Sequence, residues 1–217
     1  MTDQELATLA GIPLRILLAI RAVESSGNPR AVRFEPHLFH RDTSNRFTTS
    51  QVPWTRSRGP VSLVSSETNR AAFERAFRLD HVNAVTSTSW GPYQVLGGHL
   101  LSVRGPNPAT AVAAFDANPL PVGEEMFVSW MRSGNRGRDA RAAANAGDIE
   151  ALAELYNGSQ RWAAAVRRAL ATNLTPSLPL LPSLPLSPTT VNTTAFSVLA
   201  LAGIAAATYW YLEQRKK

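Results

Sequence analysis

The chain has 217 residues, no cysteine and a formal net charge of +6. Its length allows one globular domain of ordinary size with an appendage, and the lack of cysteine excludes a disulfide framework and a Cys-ligated metal site. Every basic residue before Arg215 is an arginine, and these arginines are scattered along the chain. Nucleic-acid-binding domains usually gather basic side chains on one face, so we expect no nucleic-acid partner. A diffuse positive charge suits a polyanionic surface, and a GC-rich genome explains the arginine usage equally well.

Apolar periodicity predicts a mainly α-helical domain over residues 1–172. The predicted helices cover residues 4–10, 13–25, 67–77, 108–115, 123–131, 148–156 and 161–172. The sequence has no alternating strand of useful length. We therefore expect at most a small β-hairpin, formed by residues 33–39 and the loop before Arg70.

The segment VESSGNP, residues 23–29, places one carboxylate at the end of an apolar helix. Pro13 suits the first turn of this helix, while Gly27 as a left-handed cap and Pro29 after it predict its end. Glu24 then lies in the last turn, where the helix dipole and apolar neighbours disfavour the ionised form. A carboxylic acid kept protonated near neutral pH is suited to general-acid catalysis, although a solvated glutamate at a helix end has the same pattern.

Three further motifs follow in chain order. Residues 34–39 read FEPHLF, residues 87–94 read STSWGPYQ and residues 156–158 read YNG. With VES before them, these motifs resemble the N-acetylmuramidase domain of phage endolysins. That domain belongs to the lysozyme-like superfamily, which includes lytic transglycosylases and goose-type lysozymes. The resemblance extends over about residues 6–170.

The resemblance implies a lysozyme-like fold and cleavage of the bond between N-acetylmuramic acid and N-acetylglucosamine in peptidoglycan. The site residues that it implies are Glu24, as the general acid, and Ser89, Gln94, Tyr156 and Asn157 along the glycan cleft. We expect the Tyr93 ring to stack on a sugar face there. Trp90 is a further aromatic residue for stacking on a sugar, but a place in the core is the better expectation because tryptophan is highly buried on average.

A hydrolase also needs a second carboxylate. Glu35 is the best candidate because its motif comes just after the catalytic helix, and Asp42 and Asp80 are weaker ones. An ion pair between Glu35 and a nearby arginine is an equally good interpretation. If no second carboxylate reaches the bond, the 6-hydroxyl of the muramic acid attacks instead and the product is a 1,6-anhydro sugar, as in lytic transglycosylases.

The sequence gives no indication of a metal or cofactor. The four histidines show no HExxH or comparable ligand spacing. We therefore expect catalysis by side chains alone, with no metal site and no cofactor.

Residues 173–193 are predicted to be a linker. Pro176, Pro179, Pro182, Pro185 and Pro188 recur in it at every third position. Because three residues make one turn of polyproline II, we expect a stiff spacer of about 40 Å.

Residues 194–217 are predicted to be a C-terminal transmembrane anchor. The stretch 195–212 contains no charge, aromatic residues occupy 209–211, and residues 215–217 are basic. By the positive-inside rule, the basic tail stays cytoplasmic and the catalytic domain faces the other side. Residues 1–20 have no secretory-signal character, which favours the membrane of a lipid-containing bacteriophage and leaves the host inner membrane as the alternative.

The expected function is a membrane-anchored enzyme that cleaves peptidoglycan glycan strands, either a muramidase or a lytic transglycosylase. We expect it to be phage-encoded and virion-associated. Its expected partners are peptidoglycan and the lipid membrane, and an association with other virion vertex or capsid proteins is left open. The alternative is a non-catalytic wall-binding or structural virion protein that keeps the lysozyme-like fold.

Overall fold

The computed structural model describes residues 1–52 and 68–173. The predicted spacer beyond Asn173, the predicted anchor and most of the loop before Arg70 lie outside these residues. The helices of the described part are α1 (Asp3–Ala10), α2 (Leu14–Ser25), α3 (Pro36–Asp42), α4 (Asn69–Leu79), α5 (His81–Thr86), α6 (Gly98–Arg104), α7 (Pro108–Ala117), α8 (Pro119–Arg132), α9 (Gly134–Ala146), α10 (Ile149–Tyr156) and α11 (Gln160–Asn173). The mainly helical prediction is confirmed for this part of the chain.

A small antiparallel sheet of three strands accompanies the helices. The strands β1 (Val32–Phe34), β2 (Thr88–Trp90) and β3 (Val95–Leu96) lie in that order, and β2 is central. The prediction of at most a hairpin is therefore wrong by one strand. The expected strand at 33–39 is also only partly correct, because the chain turns at Glu35 into α3, where Pro36 occupies the first helical position.

Four of the helices, α3, α5, α6 and α9, were not predicted. The first three have only six or seven residues each, which is too few for a helical period to stand out in the sequence. The fourth reads GNRGRDARAAANA, contains two glycines and has no large apolar residue. It packs through small buried residues, Gly137, Ala140, Ala143 and Ala144, so its buried face does not show as an apolar stripe.

The helix that carries the VES motif is anchored in the core. Ile16, Leu17 and Ile20 of α2 are fully buried, and α2 packs against both α1 and α11. The helix ends at Ser25, as predicted, but its left-handed cap is Ser26 with φ 54° and not Gly27, which follows with φ 79°. This core packing fixes the position of the last turn of α2.

No single helix within residues 1–52 and 68–173 is long and apolar enough to span a membrane. The helices α1 and α2 reach that length and apolar character only as a pair, which is bent by 100°.

Candidate active site

Glu24 occupies the last turn of α2, as the sequence predicts, and its side chain is largely shielded from water. The indole Nε1–H of Trp162 donates a hydrogen bond of 2.7 Å to Glu24 Oε1. Burial raises the pKa of the Glu24 carboxyl, while hydrogen bonds from Trp162 and Asn157 and the charge of Arg33 oppose that rise. The net shift is upward, so Glu24 keeps its proton to a higher pH than an exposed glutamate does.

Glu24 lines a cavity of about 220 Å³. The other residues that line this cleft are Arg33, Glu35, His37, Leu38, Ser89, Gln94, Leu96, Tyr156 and Asn157. Six of the seven predicted site residues therefore meet in one place, although they come from segments more than 130 positions apart in the chain.

Glu35 is held by an ion pair, the alternative that the sequence left open. Arg33 Nε donates a hydrogen bond of 2.6 Å to Glu35 Oε1, and His37 Nδ1 lies 3.9 Å from Oε2. The ion pair does not withdraw Glu35 from the cleft, because Arg33, Glu35 and His37 all line the same cavity as Glu24. The structure thus places two carboxyl groups in one cleft, one shielded from water and the other paired with a guanidinium.

Ser89 enters the cleft from β2, and Gln94 enters it from the segment that joins β2 to β3. Ser89 lies in the central strand, opposite Arg33 of β1, and is nearly fully buried. Gln94 has a left-handed backbone with φ 49°, and its side-chain amide donates to the carbonyl oxygens of Gly91 at 2.9 Å and Ala31 at 3.3 Å. These bonds fix the amide group at the cavity wall.

The prediction that the Tyr93 side chain lies along the glycan cleft is wrong. Tyr93 is completely buried and its ring stacks on Phe127, with 4.3 Å between the ring centroids. Burial raises the pKa of its hydroxyl to about 12. The residue serves the site through its backbone instead, because its carbonyl oxygen accepts a hydrogen bond of 2.5 Å from the Tyr156 hydroxyl.

The expectation that Trp90 belongs to the core is confirmed. Its side chain has no exposed surface and packs edge-on against Phe73 and Phe115, with centroid distances of 4.9 and 5.1 Å. Its Nε1–H donates to the carbonyl oxygen of Val85. Trp90 supports the site from behind the sheet.

Tyr156 separates the cleft from a second cavity of about 180 Å³. The residues that line this second cavity are Gln94, Val95, Leu96, His99, Trp130, Arg136 and Tyr156. Gln94, Leu96 and Tyr156 line both cavities, so the two lie next to each other.

Within 1–52 and 68–173, no three His, Asp or Glu side chains come together in a metal-binding arrangement.

Sequence reasoning missed two residues that contact the predicted carboxylates, Trp162 and Arg33. Trp162 lies four positions beyond the YNG motif, and a donor that reaches back to Glu24 could not be inferred from that spacing. Arg33 was visible only as one of several arginines near Glu35. The signal that could have found it is the spacing of two positions between Arg33 and Glu35, because side chains two apart in extended chain lie on the same face.

One carboxyl group shielded from water, a second carboxyl group and a polar cleft on a mainly helical scaffold are features of the lysozyme-like class of glycosidases. The chain belongs to the N-acetylmuramidase family, whose profile matches residues 13–173. It is therefore a glycosidase that acts on peptidoglycan.

The fold is similar to that of a Burkholderia AP3 phage endolysin, whose crystal structure superimposes with a TM-score of 0.59. The two sequences are 22% identical over 79% of this chain and 70% of the endolysin chain. No curated protein matches this chain. The predicted resemblance to the N-acetylmuramidase domain of phage endolysins is confirmed.

Proposed function

We propose that the enzyme hydrolyses the bond between N-acetylmuramic acid and N-acetylglucosamine, with Glu24 as the general acid and Glu35 as the second carboxylate. The observation that supports this proposal is that both carboxyl groups line one cavity in different environments. Two carboxyl groups with separate roles, an acid and a group that positions water or stabilises the cationic sugar, are what glycoside hydrolysis requires.

The environment of Glu24 suits the acid role. Burial raises the pKa of this carboxyl, so the proton remains available for transfer to the leaving oxygen at a pH where an exposed glutamate would have lost it. Glu35 suits the second role, because the bond from Arg33 fixes its orientation in the cleft. Ser89, Gln94 and Asn157 offer hydroxyl and amide groups for the hydroxyl and N-acetyl groups of the glycan.

The role of Glu35 predicts the nature of the products. We expect digestion of purified sacculi to give reducing muropeptides, and we expect Glu35→Gln to lower kcat by roughly 10²-fold, because the amide keeps the acceptor oxygen for Arg33 but cannot activate water. Mass spectrometry of the muropeptides and initial rates measure the two effects. Asp42→Asn is the matched control, since Asp42 pairs with the neighbouring Arg41. Anhydro-muropeptides as the main product, with full activity in Glu35→Gln, would instead indicate attack by the substrate's own 6-hydroxyl.

We propose in addition that the catalytic domain is membrane-anchored at its C-terminal end and carried on a bacteriophage particle. The support comes from the sequence: an uncharged stretch at 195–212, aromatic residues at 209–211, a basic end and five regularly spaced prolines. The similarity to a phage endolysin fits a phage origin. The spacer would hold the catalytic domain at a distance from the bilayer, toward the wall.

The anchor predicts how the protein partitions. We expect the full-length chain to enter the detergent phase in a Triton X-114 separation and to stay on membranes washed with high salt, because burial of an apolar helix is insensitive to ionic strength. A chain truncated after Pro188 should appear in the aqueous phase. Release of the full-length protein by salt alone would mean that only electrostatic attraction holds it.

A further inference from the structure

The indole of Trp162 makes direct contact with the proposed general acid. Its Nε1–H donates to Glu24 Oε1 at 2.7 Å, a short distance for a nitrogen donor and typical of a strong bond to a carboxyl oxygen. Trp162 lies in the first turn of α11, which packs against α2, and only 6% of its surface is exposed. A part-buried hydrogen bond between two packed helices fixes the relation between the indole and the carboxyl.

We propose that Trp162 is a positioning residue that orients Glu24 and directs its transferable proton to Oε2. An indole N–H can only donate a hydrogen bond, so Oε1 accepts it. The carbonyl oxygen of a neutral carboxyl is a better acceptor than its hydroxyl oxygen, so this bond favours the form with the proton on Oε2. Without this donor, the carboxyl could rotate or carry its proton on either oxygen. The inference depends on the proposed role of Glu24 as the acid and adds a residue that controls it.

The position of the indole is itself fixed by aromatic packing. Its ring stacks on Tyr156 with 5.2 Å between centroids and an interplanar angle of 20°. Tyr156 is held in turn by its hydroxyl bond to the Tyr93 carbonyl oxygen and by an edge-on contact with Trp130, 4.8 Å away. Because each ring restricts the next, Trp162 has little freedom to turn away from Glu24.

The other charged and polar groups around Glu24 define what loss of the indole N–H would do. Burial raises the pKa of Glu24 most strongly, and Trp162 is the strongest of the groups that lower it. Arg33 and Asn157 also lower this pKa, whereas Glu35 raises it. The Tyr156 hydroxyl stays neutral, since burial holds its own pKa well above 10. Removal of the Trp162 donor therefore moves the pKa of Glu24 further upward.

A general acid must be protonated to act, so activity falls as the pH rises through its pKa. We therefore expect a protein without the indole N–H to keep its activity to higher pH, with the alkaline limb of the kcat/KM profile shifted upward by about one unit. At the optimum, kcat should fall roughly tenfold because the carboxyl is less well oriented, while KM changes little.

The sharpest test replaces Trp162 in the full-length chain by benzothienylalanine, whose sulfur takes the place of the ring N–H while the ring keeps its size. Trp162→Phe is the second variant, and it retains an aromatic ring against Tyr156. Rates on a soluble glycan substrate across the pH range give the position of the alkaline limb of the kcat/KM profile. Thermal unfolding shows how much of each variant is folded. The same benzothienylalanine replacement at Trp130, which also contacts Tyr156, is the control, and there the limb should not move.

Each outcome has a separate meaning. An upward shift of the limb at position 162 alone, in both variants, supports the positioning role. A lower melting temperature with an unmoved limb in the benzothienylalanine protein overturns it and makes Trp162 a packing residue. Failure of the proposed function is recognised independently, because Glu24→Gln would then retain activity whatever happens at Trp162.

Discussion

Replacement of Glu24 by glutamine is expected to lower kcat on peptidoglycan by about 10³-fold. Glutamine has the same shape as the protonated carboxyl, and its oxygen can still accept the indole bond from Trp162, but it has no proton to give to the leaving oxygen. The fold should be unaffected. Because the folded-state pKa of Glu24 is raised, its contribution to stability is present at low pH and is lost as the pH rises through that pKa. At neutral pH the variant should therefore melt at the same temperature as the wild type or slightly higher.

A turbidity assay on isolated sacculi measures the rate, and circular dichroism measures the melting temperature. Glu154→Gln is the matched control: it makes the same chemical change at an exposed position of α10, two residues before Tyr156, and should leave both quantities as they are. Substantial lysis by Glu24→Gln would mean that another group is the acid. Absence of lysis by the wild type would instead favour the non-catalytic alternative.

The sequence was most informative where one short segment carries both the fold and the chemistry. The last turn of α2 could be derived from local rules, since the apolar period, the left-handed end and the single carboxylate all lie within a few residues of one another. The roles of Gln94, Tyr156 and Asn157 could not be derived in this way. They came from the resemblance, because the fold brings together segments that are far apart in the sequence.

The wrong prediction for Tyr93 has a physical cause. Gln94 directly follows it, and at a turn between two strands adjacent residues point in different directions, so only one of them faces the cleft. The left-handed backbone of Gln94 sends its amide to the cavity wall, while the Tyr93 ring packs on Phe127 of α8. The direction of the Tyr93 side chain depends on its packing against α8. Residues 87–94 alone give no indication of that contact.

Gly97 and Gly98 look alike in the sequence, but the structure gives them opposite tolerance to a side chain. A Cβ atom on Gly97 would lie 1.9 Å from the carbonyl oxygen of Val85 and 2.8 Å from Trp90 Nε1. Neither neighbour can yield easily. The first is backbone at the end of α5, and the second belongs to a ring that is enclosed by Phe73 and Phe115. A Cβ on Gly98 would meet nothing within 4 Å.

We therefore expect Gly97→Ala to destabilise the domain by about 3 kcal/mol, since the clash has to be relieved by moving β2 or α5. Gly98→Ala should be neutral or more stable by up to about 1 kcal/mol, because alanine favours the helix that begins there. Thermal and denaturant unfolding of the two variants measure the difference.

If Gly97→Ala is less stable by this amount and its remaining folded fraction is also less active per molecule, the clash has displaced the segment that carries Gln94. Equal stability of the two variants would contradict the close approach of Gly97 to Val85, and with it the packing that holds this segment against the cleft.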